Sequence, residues 1–101
     1  MASRLELQKL LEMLLGNKNV YYQPPASLSM SYPCVVYSRD RIDKDNADDT
    51  AYRITKRYEL IVISKTPDIA VIDKLLELPY CSYGRHYVAD GLHHDTFTLY
   101  Y

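Results

Sequence analysis

The segment from Tyr52 to Ser64 constrains the fold more than any other part of the chain. Its first half places polar residues at alternate positions, Arg53, Thr55 and Arg57, and its second half is the apolar run Leu60-Ile61-Val62-Ile63. Alternation is typical of a strand with one solvated face, whereas a continuous apolar run is typical of a buried strand. The pattern predicts one long strand with an exposed end and a buried end. Such a strand can form one arm of a hairpin that projects beyond the core.

Two helices are predicted from capping signals and leucine spacing. Ser3 and Glu6 form an S-x-x-E capping box, and Gly16 ends the leucine-rich stretch that follows, which predicts a helix over residues 3–15. Thr66 as N-cap and Pro67 at the first helical position predict a second helix over about 67–77. The leucine stripe of the first helix is either a partner-binding face or, as so short a chain favours, a face that packs against its own sheet. The stripe consists of Leu7, Leu10, Leu11, Leu14 and Leu15.

Four further strands are predicted at residues 20–23, 34–38, 80–89 and 94–101. Pro24-Pro25 ends the first of these, since neither proline can donate to a strand ladder. Asp90-Gly91 is a hairpin turn signal between the last two. The resulting order α-β-β-β-α-β-β predicts an α+β fold in one domain over residues 1–101. We expect an antiparallel or mixed sheet of about five strands, with both helices on one face and a projecting acidic loop or hairpin.

Residues 39–51, RDRIDKDNADDTA, have one large apolar residue, Ile42, and are predicted to form a long, solvated and mobile loop. Their aspartates resemble a calcium loop only superficially. With Asp43 at position 1, Asp48 stands where such a loop needs glycine, and Ile54 where it needs the closing glutamate. The stretch is then either merely solvated or ordered against a partner, through Asp43, Asp45, Asp48 and Asp49.

Other side chains with possible chemistry carry no catalytic or metal pattern. His93 and His94 are adjacent in a predicted strand, so their side chains point to opposite faces and do not converge on a metal with His86. Cys34 and Cys81 lie outside any CxxC motif and are expected to be reduced, buried thiols. No elbow or oxyanion-hole glycine accompanies Cys81 or Ser82 as a nucleophile, and no glycine-rich phosphate loop occurs. The sequence therefore predicts neither an enzyme nor a bound cofactor.

Charge and tyrosine content favour protein partners over nucleic acid. The net charge of −1 lacks the basic excess that phosphate binding requires, and no apolar run is long enough to span a bilayer. Residues 4–12 are interrupted by charges where a signal peptide would be apolar, so we expect a protein made in the cytoplasm. The chain has 11 Tyr and no Trp, and tyrosine suits half-buried strands and interfaces. The candidate partner-binding residues besides the four aspartates are Arg53, Arg57, Tyr83, Tyr87, Tyr100 and Tyr101.

Several segments together resemble small head-to-tail joining proteins, which long-tailed bacteriophages encode between their capsid and major tail genes. The resembling segments are Tyr32-Pro33-Cys34-Val35-Val36-Tyr37, Lys56-Arg57-Tyr58, Leu78-Pro79-Tyr80-Cys81-Ser82, Arg85-His86-Tyr87 and Ala89-Asp90-Gly91-Leu92-His93-His94-Asp95. The likeness covers nearly the whole chain, and the nearest role is that of the tail terminator, or tail completion protein.

This resemblance implies a structural protein that forms a ring, typically a hexamer, at the end of the tail tube. The ring would stop polymerisation of the major tail tube protein and present a docking face to the head completion or connector protein. DNA would pass through without specific binding, repelled by the acidic residues, and the protein would move from the host cytoplasm into the virion. The alternatives are a head completion protein and, less favoured by the residues, a small enzyme or metal-dependent regulator.

Overall fold

The computed structural model describes residues 4–24, 31–47, 50–67 and 69–101. In chain order the elements are α1 (Arg4–Leu15), β1 (Val20–Tyr22), β2 (Cys34–Ala47), β3 (Thr50–Ser64), α2 (Ala70–Leu76), β4 (Cys81–Ala89) and β5 (Leu92–Tyr100). The five strands form one sheet in the order β1-β2-β3-β5-β4. β1 runs parallel to β2, and every other neighbouring pair is antiparallel. The predicted α+β class and mixed sheet are confirmed.

Helix α1 packs its leucine stripe on the chain's own sheet, as predicted. Leu7 and Leu11 are fully buried, while Leu5 and Met13 on the opposite side are exposed. Gly16 ends the helix in the left-handed region at φ 86°, and its amide donates to the carbonyl of Glu12 at 3.0 Å. Ser3, and with it the predicted capping box, lies outside the described residues.

Helix α2 begins at Ala70, three residues later than predicted, and the assignment of Thr66 as its N-cap is wrong. The amide of Thr66 instead donates to Oγ of Ser64 at 3.1 Å, which holds it in the turn that follows β3. Ile69 occupies the N-cap position without a capping side-chain bond. The short helix then buries Val71 and Leu75, so packing rather than capping stabilises it.

Both helices cover the same face of the sheet. α1 contacts α2, and together they bury alternate residues of the central strands. The core consists of Leu7, Leu11, Val20, Val35, Tyr37, Tyr58, Leu60, Val62, Val71, Leu75, Phe97 and Leu99. Successive side chains of a strand point to opposite faces, so the remaining residues of β2, β3 and β5 form a second face, and neither α1 nor α2 lies over it.

The prediction of a loop over residues 39–51 is wrong for the part that the structure describes. β2 continues to Ala47, β3 begins at Thr50, and the two strands pair along almost their whole length. The stretch can extend β2 because backbone pairing with β3 satisfies its amides and carbonyls whatever its side chains are. Asp48 and Asp49 lie outside the described residues.

The two ends of the sheet differ in how far they extend. The paired strands β2 and β3 run beyond β5, and the molecule measures 52 × 29 × 23 Å along its principal axes. At the other hairpin, Asp90 and Gly91 both have positive φ, 54° and 74°, which confirms the predicted two-residue turn between β4 and β5.

Candidate assembly surface

The most prominent surface feature is a two-stranded projection, which we call the arm and define as residues 41–47 of β2 with residues 50–56 of β3. Arg57 and Tyr100 form the last pair between β3 and β5, and beyond it β2 and β3 pair with each other alone among the described strands. Within the arm, Asp45 stands opposite Arg53 in the register. Of the predicted acidic positions, Asp43 and Asp45 therefore lie on a paired strand and not in a loop.

Arg57 anchors the base of the arm. Its Nε and NH2 groups donate to the two carboxylate oxygens of Asp40 at 3.0 and 3.1 Å, a bidentate pair. Hydrogen bonds to Asp40 and to Tyr100 raise the pKa of the Arg57 guanidinium above its ordinary value. The predicted partner residues Arg57 and Tyr100 thus lie together, where the arm leaves the sheet.

The sheet face opposite the helices carries three of the candidate residues, Arg57, Tyr87 and Tyr100, and we call it the uncovered face. It combines β-branched, hydroxyl, aromatic and charged side chains. These are Val36, Ser38, Arg57, Glu59, Ile61, Arg85, Tyr87, His94, Thr96, Thr98 and Tyr100. A shallow open depression of about 230 Å³ lies across it, lined by Glu59, Arg85, Tyr87, Thr96 and Thr98 together with Phe97. Its openness suits contact with another surface better than enclosure of a small molecule.

Tyr87 is held flat on this face by its neighbours. Its ring stacks on the imidazole of His94 with centroids 4.7 Å apart, and the Arg85 guanidinium lies 4.9 Å from the ring centroid. The backbone amide of Arg85 donates to Oγ1 of Thr96 at 2.9 Å, where a bulge interrupts the pairing of β4 with β5. Tyr87 is thereby a rigid aromatic side chain with a polar hydroxyl, and its contact with a partner would cost little side-chain entropy.

Tyr83 and Tyr101 do not join Tyr87 and Tyr100. Tyr83 lies on the helix side of the sheet, where its hydroxyl donates to Oδ1 of Asp95 at 2.9 Å and its ring meets Phe97 edge to face. Tyr101 is half-buried against the core of its own chain. The four tyrosines therefore divide between two faces.

The histidines also divide between the faces, which confirms that His93 and His94 point in opposite directions. Nε2 of His86 lies 3.1 Å from Nδ1 of His93 on one side, while Nδ1 of His94 lies 3.0 Å from the Leu92 carbonyl on the other. Within the described residues, no three histidine, cysteine or carboxylate side chains are grouped as metal ligands.

Both cysteines are free thiols, Cys34 buried and Cys81 half-buried. Burial raises the pKa of Cys34 from 9.0 to about 11 and also raises the pKa of Cys81. Each is therefore protonated at neutral pH, and a thiol is a far weaker nucleophile than a thiolate.

Sequence reasoning missed the free backbone edges of the sheet. β4 is an outermost strand, and no other described strand pairs with its outer side. On the opposite edge β1 pairs with β2 at Val35, Val36 and Tyr37 only, which leaves the outer side of β2 from Ser38 to Ala47 without a partner among the described strands. The sequence signal for these edges was the run of strand-forming residues at 52–57. A polar strand there needs a partner strand of similar length, so both strands had to extend beyond the rest of the sheet.

Comparisons with known proteins add no further assignment. No family model matches the chain, and no curated protein matches it at a significant level. Neither helix of the described ranges is long and apolar enough to cross a bilayer.

Proposed function

We propose that this chain is a structural assembly protein of a long-tailed bacteriophage, a tail terminator that caps the tail tube as a ring. The ring, of six copies, ends polymerisation of the major tail tube protein and forms the docking surface for the head connector. DNA passes through it without specific binding. The protein acts by contact and not by catalysis.

The observation that carries this proposal is the arm. An isolated two-stranded ribbon is marginally stable in water, and this one has neither a third strand nor a helix against it among the described residues. A chain that keeps such an arm has a structural use for contact with another subunit. The arm thus supports the assembly role that the resembling sequence segments imply.

The uncovered face supports the same role. Its aromatic and hydroxyl side chains, among them Tyr87 and Tyr100, are typical of protein interfaces, and the shallow depression on it is open and does not resemble an enclosed substrate site. We assign this face to contact with neighbouring protein rings, and the arm and sheet edges to contact within the ring.

The test is the phenotype of phage particles that lack this gene, examined by electron microscopy. A terminator defect gives tails of uncontrolled, excessive length, and a plasmid copy of the wild-type gene restores normal length. Normal free tails beside unsealed heads would instead identify a head completion protein. Infectious particles of normal morphology would contradict both roles.

A matched pair of complementing genes locates the activity within the molecule. One replaces residues 41–56 by a short turn, and the other carries Leu76→Ala, a change at an exposed position of α2 away from the arm. We expect the arm deletion to fail to restore tail length and Leu76→Ala to succeed. Full complementation by the armless chain would show that the arm does not carry the function.

A further inference from the structure

Among the described residues the sheet has two edges without a partner strand, and these edges are unlike each other. One is the nine-residue strand β4, and the other is the outer side of β2 beyond Tyr37. Each displays a large, exposed, β-branched residue, Val88 on β4 and Ile42 on β2, with 58% and 49% of their surfaces exposed. Exposed apolar residues on unpaired strand edges favour pairing with another strand.

Strand direction makes these edges complementary in two copies of the same orientation. Along β2, β3, β5 and β4 every neighbouring pair is antiparallel, so β2 and β4 run in opposite directions. When a second copy is placed beside the first with the same face up, its β2 meets the first copy's β4 as an antiparallel pair. Antiparallel pairing is the commoner arrangement and needs no inversion of either copy.

The hydrogen-bonding groups of Ile42 point toward such a neighbour. The carbonyl of Lys56 accepts from the amide of Tyr101, so the backbone groups of Lys56 face β5 and not β2. Ile42 is the register partner of Lys56, and its own amide and carbonyl therefore point away from β3, to the outer edge.

The amide of Val88 likewise points outward, on the other edge of the sheet. A two-residue turn joins Ala89 to Leu92, which makes these two a hydrogen-bonded pair. Bonded and non-bonded pairs alternate, so Val88 and its partner His93 are non-bonded, and the amide of Val88 points outward. Val88 and Ile42 both lie on the helix side of the sheet, so pairing of the two edges would place their side chains on the same face.

We infer that copies of this chain join edge to edge, with the outer edge of β4 in one copy hydrogen-bonded to the outer edge of the β2 arm in the next. The interface is heterologous, because each copy contributes one β4 edge and one β2 edge, and a heterologous contact generates a ring when the rotation between copies closes. A pairing of β4 with a second β4 would leave the longer edge along the arm without a partner in every copy. The inference rests on the proposed ring and names its subunit contact.

Proline on either edge tests the contact, since it removes one outward amide without breaking a bond inside the subunit. We expect Val88→Pro and Ile42→Pro each to remain folded by circular dichroism and to lose self-association in native mass spectrometry, whereas the wild type forms a discrete oligomer. Val88→Ile and Ile42→Val keep the amide and should assemble as the wild type does. If a proline unfolds the chain, Val88→Lys and Ile42→Lys replace it, because lysine on an edge opposes pairing.

Mixing the two blocked variants is the decisive step. Val88→Pro keeps an intact β2 edge and Ile42→Pro an intact β4 edge, so an equimolar mixture should give one-to-one heterodimers and no larger species. Dimers of Ile42→Pro alone would indicate β4–β4 pairing and overturn the inference. It would also be overturned if Val88→Pro assembled normally, or if the wild type stayed monomeric at about 1 mM, the range of the weakest measurable associations.

Failure of this contact is distinguishable from failure of the proposed function. If deletion of the gene gives overlong tails and Val88→Pro restores their length, the terminator role stands and the edge contact is wrong. If deletion leaves tails normal while the purified variants behave as described, the chain assembles through its edges for another purpose.

Discussion

The hydroxyl of Tyr37, near the start of β2, donates a 2.6 Å hydrogen bond to Oε1 of Gln8 on α1. Tyr37 is fully buried, its hydroxyl also accepts from Arg4 at 3.3 Å, and its pKa is raised by burial. The Nε2 group of Gln8 in turn donates to the Val20 carbonyl at 2.9 Å. One glutamine side chain thus connects the N-terminal helix to both strands at that edge of the sheet.

Tyr37→Phe should therefore lower the free energy of unfolding by about 1–2 kcal/mol, because it leaves Gln8 and Arg4 without their shared partner. Urea unfolding followed by circular dichroism measures the change. Tyr80→Phe is the control, since Tyr80 is 77% exposed and its hydroxyl should be worth less than about 0.5 kcal/mol. Equal effects of the two changes would contradict the role given to the Tyr37 hydroxyl.

Neighbouring leucines on α2 provide a second test. Leu75 is fully buried and Leu76 is 46% exposed. Leu75→Ala removes packing from the core and should cost about 2–5 kcal/mol, whereas Leu76→Ala should cost less than about 0.5 kcal/mol. Thermal unfolding of the two variants checks the difference. A costly Leu76→Ala would indicate that α2 lies in another orientation on the sheet.

The bulge in β4 predicts that replacing Gly84 by a residue with a side chain destabilises the fold. A Cβ atom there would collide with Oγ1 of Thr96, the group that accepts the hydrogen bond from the Arg85 amide. Gly84→Ala should lower the melting temperature, and adding Thr96→Ala should make the double variant less destabilised than the sum of the two single changes, because the colliding atom is gone. Strictly additive effects would mean that the two residues do not meet.

Thiol chemistry should separate the two cysteines. Burial leaves Cys34 protonated until about pH 11, so at pH 8 iodoacetamide should alkylate the half-buried Cys81 well before Cys34. Mass spectrometry of timed samples gives both rates. Cys81→Ser should leave a single slow thiol, and similar rates for both cysteines in the wild type would contradict the burial of Cys34.

The same pKa shift predicts a dependence of stability on alkaline pH. The pKa of Cys34 is higher in the folded chain than the ordinary value of 9.0, so its contribution is complete below about pH 9 and is lost as the pH rises toward 11. Cys34→Ala should flatten this part of the pH profile relative to the wild type. Parallel profiles from pH 8 to 11 would show that Cys34 is not the group responsible.

Sequence patterns correctly predicted the elements for which the local residue pattern and the tertiary packing favour the same structure. The leucine spacing of α1, Gly16 and the Asp90-Gly91 turn all agree with the structure, because each is fixed by its own residues. Thr66 was misassigned because its hydroxyl and its amide both lie within hydrogen-bonding distance of Oγ of Ser64, a local contact that competes with capping.

The largest error concerned residues 39–47, where composition indicated a loop. The polar composition of the segment indicated that it has too few apolar residues to form a core. A strand can form without a core of its own when a second strand pairs with its backbone amides and carbonyls. β3 is that second strand. The candidate surface was predictable only in part for the same reason. Tyr87 and Tyr100 share a face through strand parity, but Tyr101 lies past the end of β5 and turns to the core.

The two halves of the long strand β3 should differ in local stability. Its second half lies between β2 and β5 with helices above it, so its amides should exchange with solvent hydrogen only when the whole domain unfolds. Its first half has one neighbour among the described strands and should open at a small fraction of that free energy. A chain built in this way should open and re-form the ribbon at its end while its core stays closed.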